Sequence, residues 1–151
     1  MIRNAVHSDL EELIILGWEM HQESSYKRMS YSLERVAESF VQFMESDNYL
    51  FLVVEKDSRL IGGFIGFIHT QWFSDELIAG DLALFVEPGM RGGVCAAQMI
   101  NRFCKWANAQ GVEKHNIQLG ITTGVKVEET TRLYEKLGFM RSGTIFNYRG
   151  E

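Results

Sequence analysis

The chain has 151 residues, of which 46% are hydrophobic, with 20 acidic and 15 basic side chains and two cysteines. A chain of this size folds to about 7,800 Å² of accessible surface and buries roughly two-thirds of what it exposes unfolded, enough for one core and too little for two domains. No apolar run reaches the roughly 18 residues of a membrane span. The start, MIRNAVHSDLEE, has no basic-then-apolar leader pattern, and two cysteines exclude a disulfide scaffold. The expectation is one cytoplasmic domain over 1–151, off the membrane. Residues 1–70 carry 6 basic and 11 acidic side chains, and the remainder 9 of each. That balance disfavours nucleic acid, which needs clustered Lys and Arg. It suits a cationic small molecule or peptide, or simply a solvated helical face.

Ile2 to Val6 reads as a short strand. Ser8 and Glu11 have capping-box spacing before a helix from Asp9 to Gln22, with Leu10, Leu13 and Ile14 at helical period. Glu23 to Ser30 has no period and reads as a loop. Ser32 caps a second helix, whose stripe is Leu33, Val36, Ala37, Phe40, Phe43 and Met44. Tyr49 to Glu55 and Leu60 to Thr70 are strands joined by a turn at Lys56 to Arg59, a hairpin. A loop, Gln71 to Ala79, leads to a strand from Asp81 to Val86. Val94 to Gln110 is helical, Ile117 to Thr122 a strand, Val127 to Leu137 a helix stopped by Gly138, and Met140 to Tyr148 a closing strand. The order βααβββαβαβ predicts an α/β sandwich, a mixed and mostly antiparallel twisted sheet with helices on both faces.

Two stretches carry chemistry. In LFVEPGMRGGVCAAQMI, Pro88 ends a strand because it cannot donate to the ladder. Gly89, Arg91, Gly92 and Gly93 then lead into a helix N-terminus. Amides there, approached through glycines without Cβ, suit a phosphate, although the same residues also make a plain strand-to-helix turn. In TTRLYEKLGFMRSGT, Tyr134 lies one step from the Leu133/Leu137 stripe, at the edge of the core. By itself it reads equally as a packed aromatic whose hydroxyl finds a carbonyl.

Together, VEPGMRGG and LYEKLGF resemble the GCN5-related N-acetyltransferase (GNAT) superfamily across nearly the whole chain. The resemblance implies an acetyl-CoA-dependent N-acetyltransferase that acetylates a primary amine, on a small molecule or a peptide, by direct attack in a ternary complex. It implies that Arg91, Gly92, Gly93, Val94, Cys95 and Ala96 hold the coenzyme A pyrophosphate, and that Leu84, Phe85 and Val86 pair with its pantetheine arm. It also implies that Tyr134 protonates the departing thiolate. The sequence departs from the family pattern at Val94, where glycine is usual, and at Val127, where asparagine is frequent. These departures motivate the alternative of a catalytically weak or inactive coenzyme A-binding protein. For the general base, the strand offers Asp81, with Asp75 and Glu76 behind it and His69 as an outsider. An acceptor pocket is expected from His21, Glu23, Tyr31, Trp72, Asp75 and Glu76, where aromatics beside carboxylates suit a cationic amine. Trp18 and Tyr26 share those segments. No metal-ligand spacing appears, Cys95 reads as a space-filler, and apolar surface suffices for a homodimer.

Overall fold

The computed structural model describes residues 1–150. Four strands, β1 (Ile2–Asn4), β2 (Tyr49–Lys56), β3 (Arg59–Thr70) and β4 (Leu77–Val86), form an antiparallel sheet in that order. The helices are α1 (Leu10–Glu23), α2 (Leu33–Glu45), α3 (Cys95–Ala109) and α4 (Val127–Lys136). The β2–β3 turn places Asp57 and Ser58 at φ 51° and 60°, the doubly left-handed geometry that matches the twist of a two-residue hairpin.

The two faces of the sheet bury different sets. Phe51, Val53, Leu60, Ile65 and Phe85 pack with Leu13 and Leu16 of α1 and with Phe40 and Phe43 of α2. Leu52, Val54, Ile61, Phe64 and Val86 pack with Met99, Ile100, Phe103 and Ala107 of α3, and Tyr134 of α4 joins them. Alternation within β2 sends successive residues to opposite faces. The helices therefore flank the sheet on both sides, as the sequence pattern implies.

The helix bounds fall within a residue or two of expectation, but the start of α1 differs. In place of a Ser8/Glu11 capping box, a 3-10 turn over His7–Asp9 precedes the helix. The Asp9 carboxylate accepts from the Val6 amide at 2.9 Å and from Arg3 Nη1 and Nη2 at 2.7 and 2.9 Å. A charge-assisted bidentate pair outcompetes a neutral hydroxyl for that role. The loop after α1 contains a 3-10 turn, Ser25–Arg28, capped by the Ser24 hydroxyl.

Two strand expectations also change. Ile117 to Thr122 touches β4 through a single parallel bridge, Ala79 with Ile117, and Gln118 donates to the Ala79 carbonyl at 2.9 Å. The ladder then stops, because the next amide in line, that of Gly120, donates to the Asp81 side chain rather than to a backbone carbonyl. A bulge at the same place, where Ile65 faces Ala83 but Gly66 faces Asp81, turns β4 away. Met140 to Tyr148 forms no strand: its backbone makes no hydrogen bond among the described residues, and Met140, Ile145, Phe146 and Tyr148 stand exposed. The described surface is 10065 Å², above the roughly 7,800 Å² of a compact chain of this size, and the open C-terminal segment contributes to that difference.

Candidate active site

The end of β4 is anchored before the chain turns. The Glu87 amide donates to the Ile61 carbonyl at 2.8 Å, and the Glu87 carboxylate is paired with Arg59 at 2.5 and 2.7 Å. Pro88–Met90 make one 3-10 turn, and Arg91 follows in extended backbone. Its Nε donates back to the Val86 carbonyl at 2.7 Å, and its guanidinium lies 5.7 Å over the Phe85 ring. Gly92 takes φ +86°, a conformation that glycine adopts without penalty. Nothing lies within 4 Å of where a Cβ of Gly92 would stand, and Gly93 meets only the Met90 carbonyl at 3.9 Å.

The helix α3 opens immediately afterwards with no side-chain cap. Among the described residues, no group accepts from the amides of Gly92 through Ala97, and the first backbone bond into α3 is Gln98 to the Val94 carbonyl. A row of open donors beside two uncrowded glycines is a fitting cradle for an anionic diphosphate, strengthened by the positive end of the helix dipole. Val94, the departure from the family loop, has φ −93° and is 68% exposed. Its side chain therefore sits in solvent. Cys95 and Ala96 are half-buried. Leu84 and Val86 pack on the α3 face and Phe85 on the α1 face. The outer edge of β4 beyond Ala79 has no strand partner among the described residues.

Asp81 and Tyr134 come together on Gly120. Asp81 Oδ1 accepts from the Gly120 amide at 2.8 Å, and the Tyr134 hydroxyl donates to the Gly120 carbonyl at 3.2 Å. Burial pushes the Asp81 carboxyl up to about 6, against the lowering effect of the Gly120 amide. Burial also raises the Tyr134 phenol well above its usual value, and the nearby Asp81 charge raises it further. Tyr134 is 8% exposed and stays protonated. A carboxylate poised near neutrality beside a protonated phenol can take one proton and give another.

The expected acceptor residues divide into two groups. At the end of α1, the His21 and Tyr31 rings stand 5.2 Å apart, and the Tyr31 hydroxyl donates to the Ile14 carbonyl at 2.8 Å. His21 Nε2 is buried without a hydrogen-bond partner among the described residues. Glu23 is not a free carboxylate, because Arg91 Nη1 and Nη2 bind its two oxygens at 2.5 and 2.6 Å. That pairing holds the Glu23 carboxyl below its ordinary range. Trp72, Asp75 and Glu76 lie on the exposed β3–β4 loop, where Trp72 meets only Phe73, ring on ring at 5.3 Å, and the Glu76 amide bonds to Ser74. No hydrogen bond or ring contact among the described residues joins this loop to the α1 group. His69 stacks on Phe67 at 5.1 Å on the same exposed end of β3.

Three participants escape a reading by periodicity. Gly120 lies in a segment that reads as strand, Ser25 lies in an aperiodic stretch, and the pairing of Arg91 with Glu23, the last residue of α1, joins two residues that the sequence assigns to different sites. A groove of about 1620 Å³ runs between α3, residues 114–124, α4 and the C-terminal segment, and it includes Tyr134 and Gly120 but not the glycine loop.

The chain matches the family model of the acetyltransferase (GNAT) domain over residues 47–141. Curated proteins yield no match. Solved structures share the fold at low identity. An AAC(6')-Iy structure in complex with the bisubstrate analogue CoA-S-monomethyl-acetylneamine is 16% identical with TM-score 0.77, covering 100% of this chain and 97% of that one. The apo aminoglycoside 6'-N-acetyltransferase AAC(6')-IG from Acinetobacter haemolyticus is 14% identical with TM-score 0.76, covering 100% and 98%. A ribosomal-protein-alanine N-acetyltransferase from Brucella melitensis biovar Abortus 2308 is 17% identical with TM-score 0.72, covering 99% of each chain. The matched residues take in the glycine loop, Asp81, Gly120 and Tyr134, so the chain belongs to the GNAT acetyltransferase family.

Proposed function

We propose that this chain is an acetyl-CoA-dependent N-acetyltransferase, acting as one domain in the cytoplasm on a primary amine of a small molecule or peptide. The observation that carries this reading is the convergence of Asp81 and Tyr134 on Gly120, at the point where β4 and the following segment part. When bound, acetyl-CoA supplies a thioester activated for acyl transfer. The open amides of Gly92 to Ala96 hold its diphosphate, and the free edge of β4 from Leu84 to Val86 holds the pantetheine arm. Asp81, ionised above about pH 6, accepts the proton that the acceptor amine must lose. Tyr134, protonated throughout the working range, donates to the departing sulfur. Direct transfer requires no cysteine nucleophile, and Cys95 fills space at the helix start. Aminoglycosides and a ribosomal-protein alanine, the acceptors suggested by the names of similar structures, are the first amines to try.

The test is calorimetric titration of the protein with acetyl-CoA, alongside the Gly92→Glu variant, followed by an amine screen with thiol-release readout. Micromolar binding that the variant loses, with thiol release dependent on one class of amine, is the expected result. No heat and no thermal shift at millimolar acetyl-CoA overturns it. Tight binding with no thiol release from any amine would instead leave a coenzyme-binding protein.

A further inference from the structure

Three consecutive residues at the end of α1, Glu23 to Ser25, reach both sides of the opening that starts at Asp81 and Gly120. On one side, the Glu23 carboxylate grips the Arg91 guanidinium through two bonds, and Arg91 Nε is bound to the carbonyl of Val86, the last residue of β4. On the other side, the Ser25 amide donates to the Thr123 carbonyl at 2.8 Å and its hydroxyl to the Thr122 carbonyl at 3.3 Å. Between them Ser24, 3% exposed, donates its hydroxyl to the His21 carbonyl and accepts from the Tyr26 amide, which fixes the turn. Lys126, at the start of α4, adds a favourable charge to the Glu23 anion.

We infer that Glu23 is a positioning residue, the clasp of a strap that sets the glycine loop through Arg91 and, with Ser25, fixes the width of the opening. Resting on the coenzyme-binding reading above, the inference reassigns Glu23 from acceptor contact to loop geometry. The Arg91 guanidinium is committed to Glu23 and Val86, so diphosphate recognition falls to the loop amides, and Arg91 serves as the post that holds them. The pair is bidentate and only partly exposed, an arrangement in which a guanidinium adds orientation as well as attraction. Because the same strap continues α1, which carries His21, occupancy at the acceptor end and the coenzyme end becomes energetically linked, and linkage of this kind is reciprocal.

The experiment compares wild type, Glu23→Gln, Arg91→Gln and the double variant by two readouts. Amide hydrogen exchange in the ligand-free protein, read at Ser25, whose amide is bonded to Thr123, and at Met90 and Gln98, whose bonded amides bracket the glycine loop, tests the strap alone. Titration with coenzyme A, and KM against kcat for acetyl-CoA, tests its consequence. Glu23→Gln is expected to speed exchange of these three bonded amides about tenfold and to weaken coenzyme A about tenfold, with the loss falling on KM rather than kcat. The double variant is expected to bind no worse than Arg91→Gln, since the two side chains act as one unit. Unchanged exchange and unchanged affinity in Glu23→Gln, with tight binding by wild type, overturns the strap and leaves the coenzyme reading standing. No binding by wild type overturns both, whatever the exchange data. Glu23→Gln keeps the side-chain volume, and thermal melts alongside report whether any variant has lost its fold.

Discussion

Asp81 and Tyr134 hold the two backbone groups of a single residue, the carboxylate taking the Gly120 amide and the phenol giving to the Gly120 carbonyl. Neither side chain is placed by its own element alone. Asp81 sits at a bulge of β4 and Tyr134 on α4, and Gly120 is what brings acid and base into register. A Cβ at Gly120 would stand 3.8 Å from Asp81 Oδ1, at ordinary contact distance, so what joins the three residues is the pair of backbone hydrogen bonds.

For Asp81→Asn, activity and stability should move in opposite directions. The asparagine oxygen can still accept from Gly120, but it cannot take a proton. Acetyl transfer should fall about 100-fold, and the acid limb of the wild-type kcat/KM profile near pH 6 should vanish. The stability sign follows from the raised carboxyl. A group at 3.8 unfolded and about 6 folded binds its proton more tightly in the folded state, so stability falls as pH rises from about 4 to 6 and stays lower above. The variant escapes that penalty and should melt higher at pH 7.5, by on the order of 1 kcal/mol once partial solvent screening is allowed for. Denaturant melts at pH 4.5 and 7.5 check it, and equal melts of both proteins at the two pH values would sink the burial argument.

Tyr134→Phe should separate chemistry from binding. The ring that packs with Phe139 at 6.2 Å remains, so coenzyme affinity should hold within about twofold. The donated proton is gone, and kcat should fall on the order of 100-fold. Loss of the long bond to Gly120 should cost about 1 kcal/mol of stability. Single-turnover thiol release together with calorimetry reads both; a parallel loss of affinity and rate would assign Tyr134 to packing instead.

The legible parts of this fold are those with a period. The four helices and the β2–β3 hairpin follow from apolar spacing and from two turn residues that tolerate positive φ. The glycine loop and Tyr134 are legible because short motifs carry them. What periodicity cannot see is side-chain competition for backbone groups. Residues 117–122 have strand composition, yet the Asp81 carboxylate takes the amide that would have extended the ladder. Ser8 and Glu11 have the spacing of a cap, yet Asp9 with Arg3 occupies that place. Glu23 and Arg91 are 68 positions apart, both outside any amphipathic pattern, and only the folded chain brings them within bonding distance.

Two glycines in one loop should respond differently to alanine. Gly92 sits at φ +86°, where an L side chain is strained, whereas Gly89 has ordinary φ and open space around it. Gly92→Ala should cost about 1 kcal/mol of stability and weaken coenzyme A roughly tenfold, as the strained loop turns its amides away. Gly89→Ala should leave both within error. Titration and thermal melts of the pair decide this, and equal behaviour would mean that the conformation of Gly92 does not set the cradle.

Gly66 links core packing to the site. A Cβ there would stand 2.6 Å from two carbons of the Phe103 ring and 3.1 Å from Phe64, and both rings are fully buried. Phe103 is wedged between Phe64 at 4.9 Å and Trp106 at 6.2 Å, so it has little room to withdraw. Gly66→Ala should therefore cost about 2–3 kcal/mol by overpacking, seen as a fall in Tm of roughly 5–10 °C. Gly66 also pairs directly with Asp81 across the bulge, so the displaced strand should carry Asp81 away from Gly120 and lower turnover beyond what stability explains. Phe103→Leu should restore space for the added methyl. The double variant should then be more stable than the sum of the two single losses implies, because the two sites share one contact. Strictly additive losses would show that the clash is relieved elsewhere, and that Gly66 is small for the sake of the β3–β4 ladder rather than for Phe103.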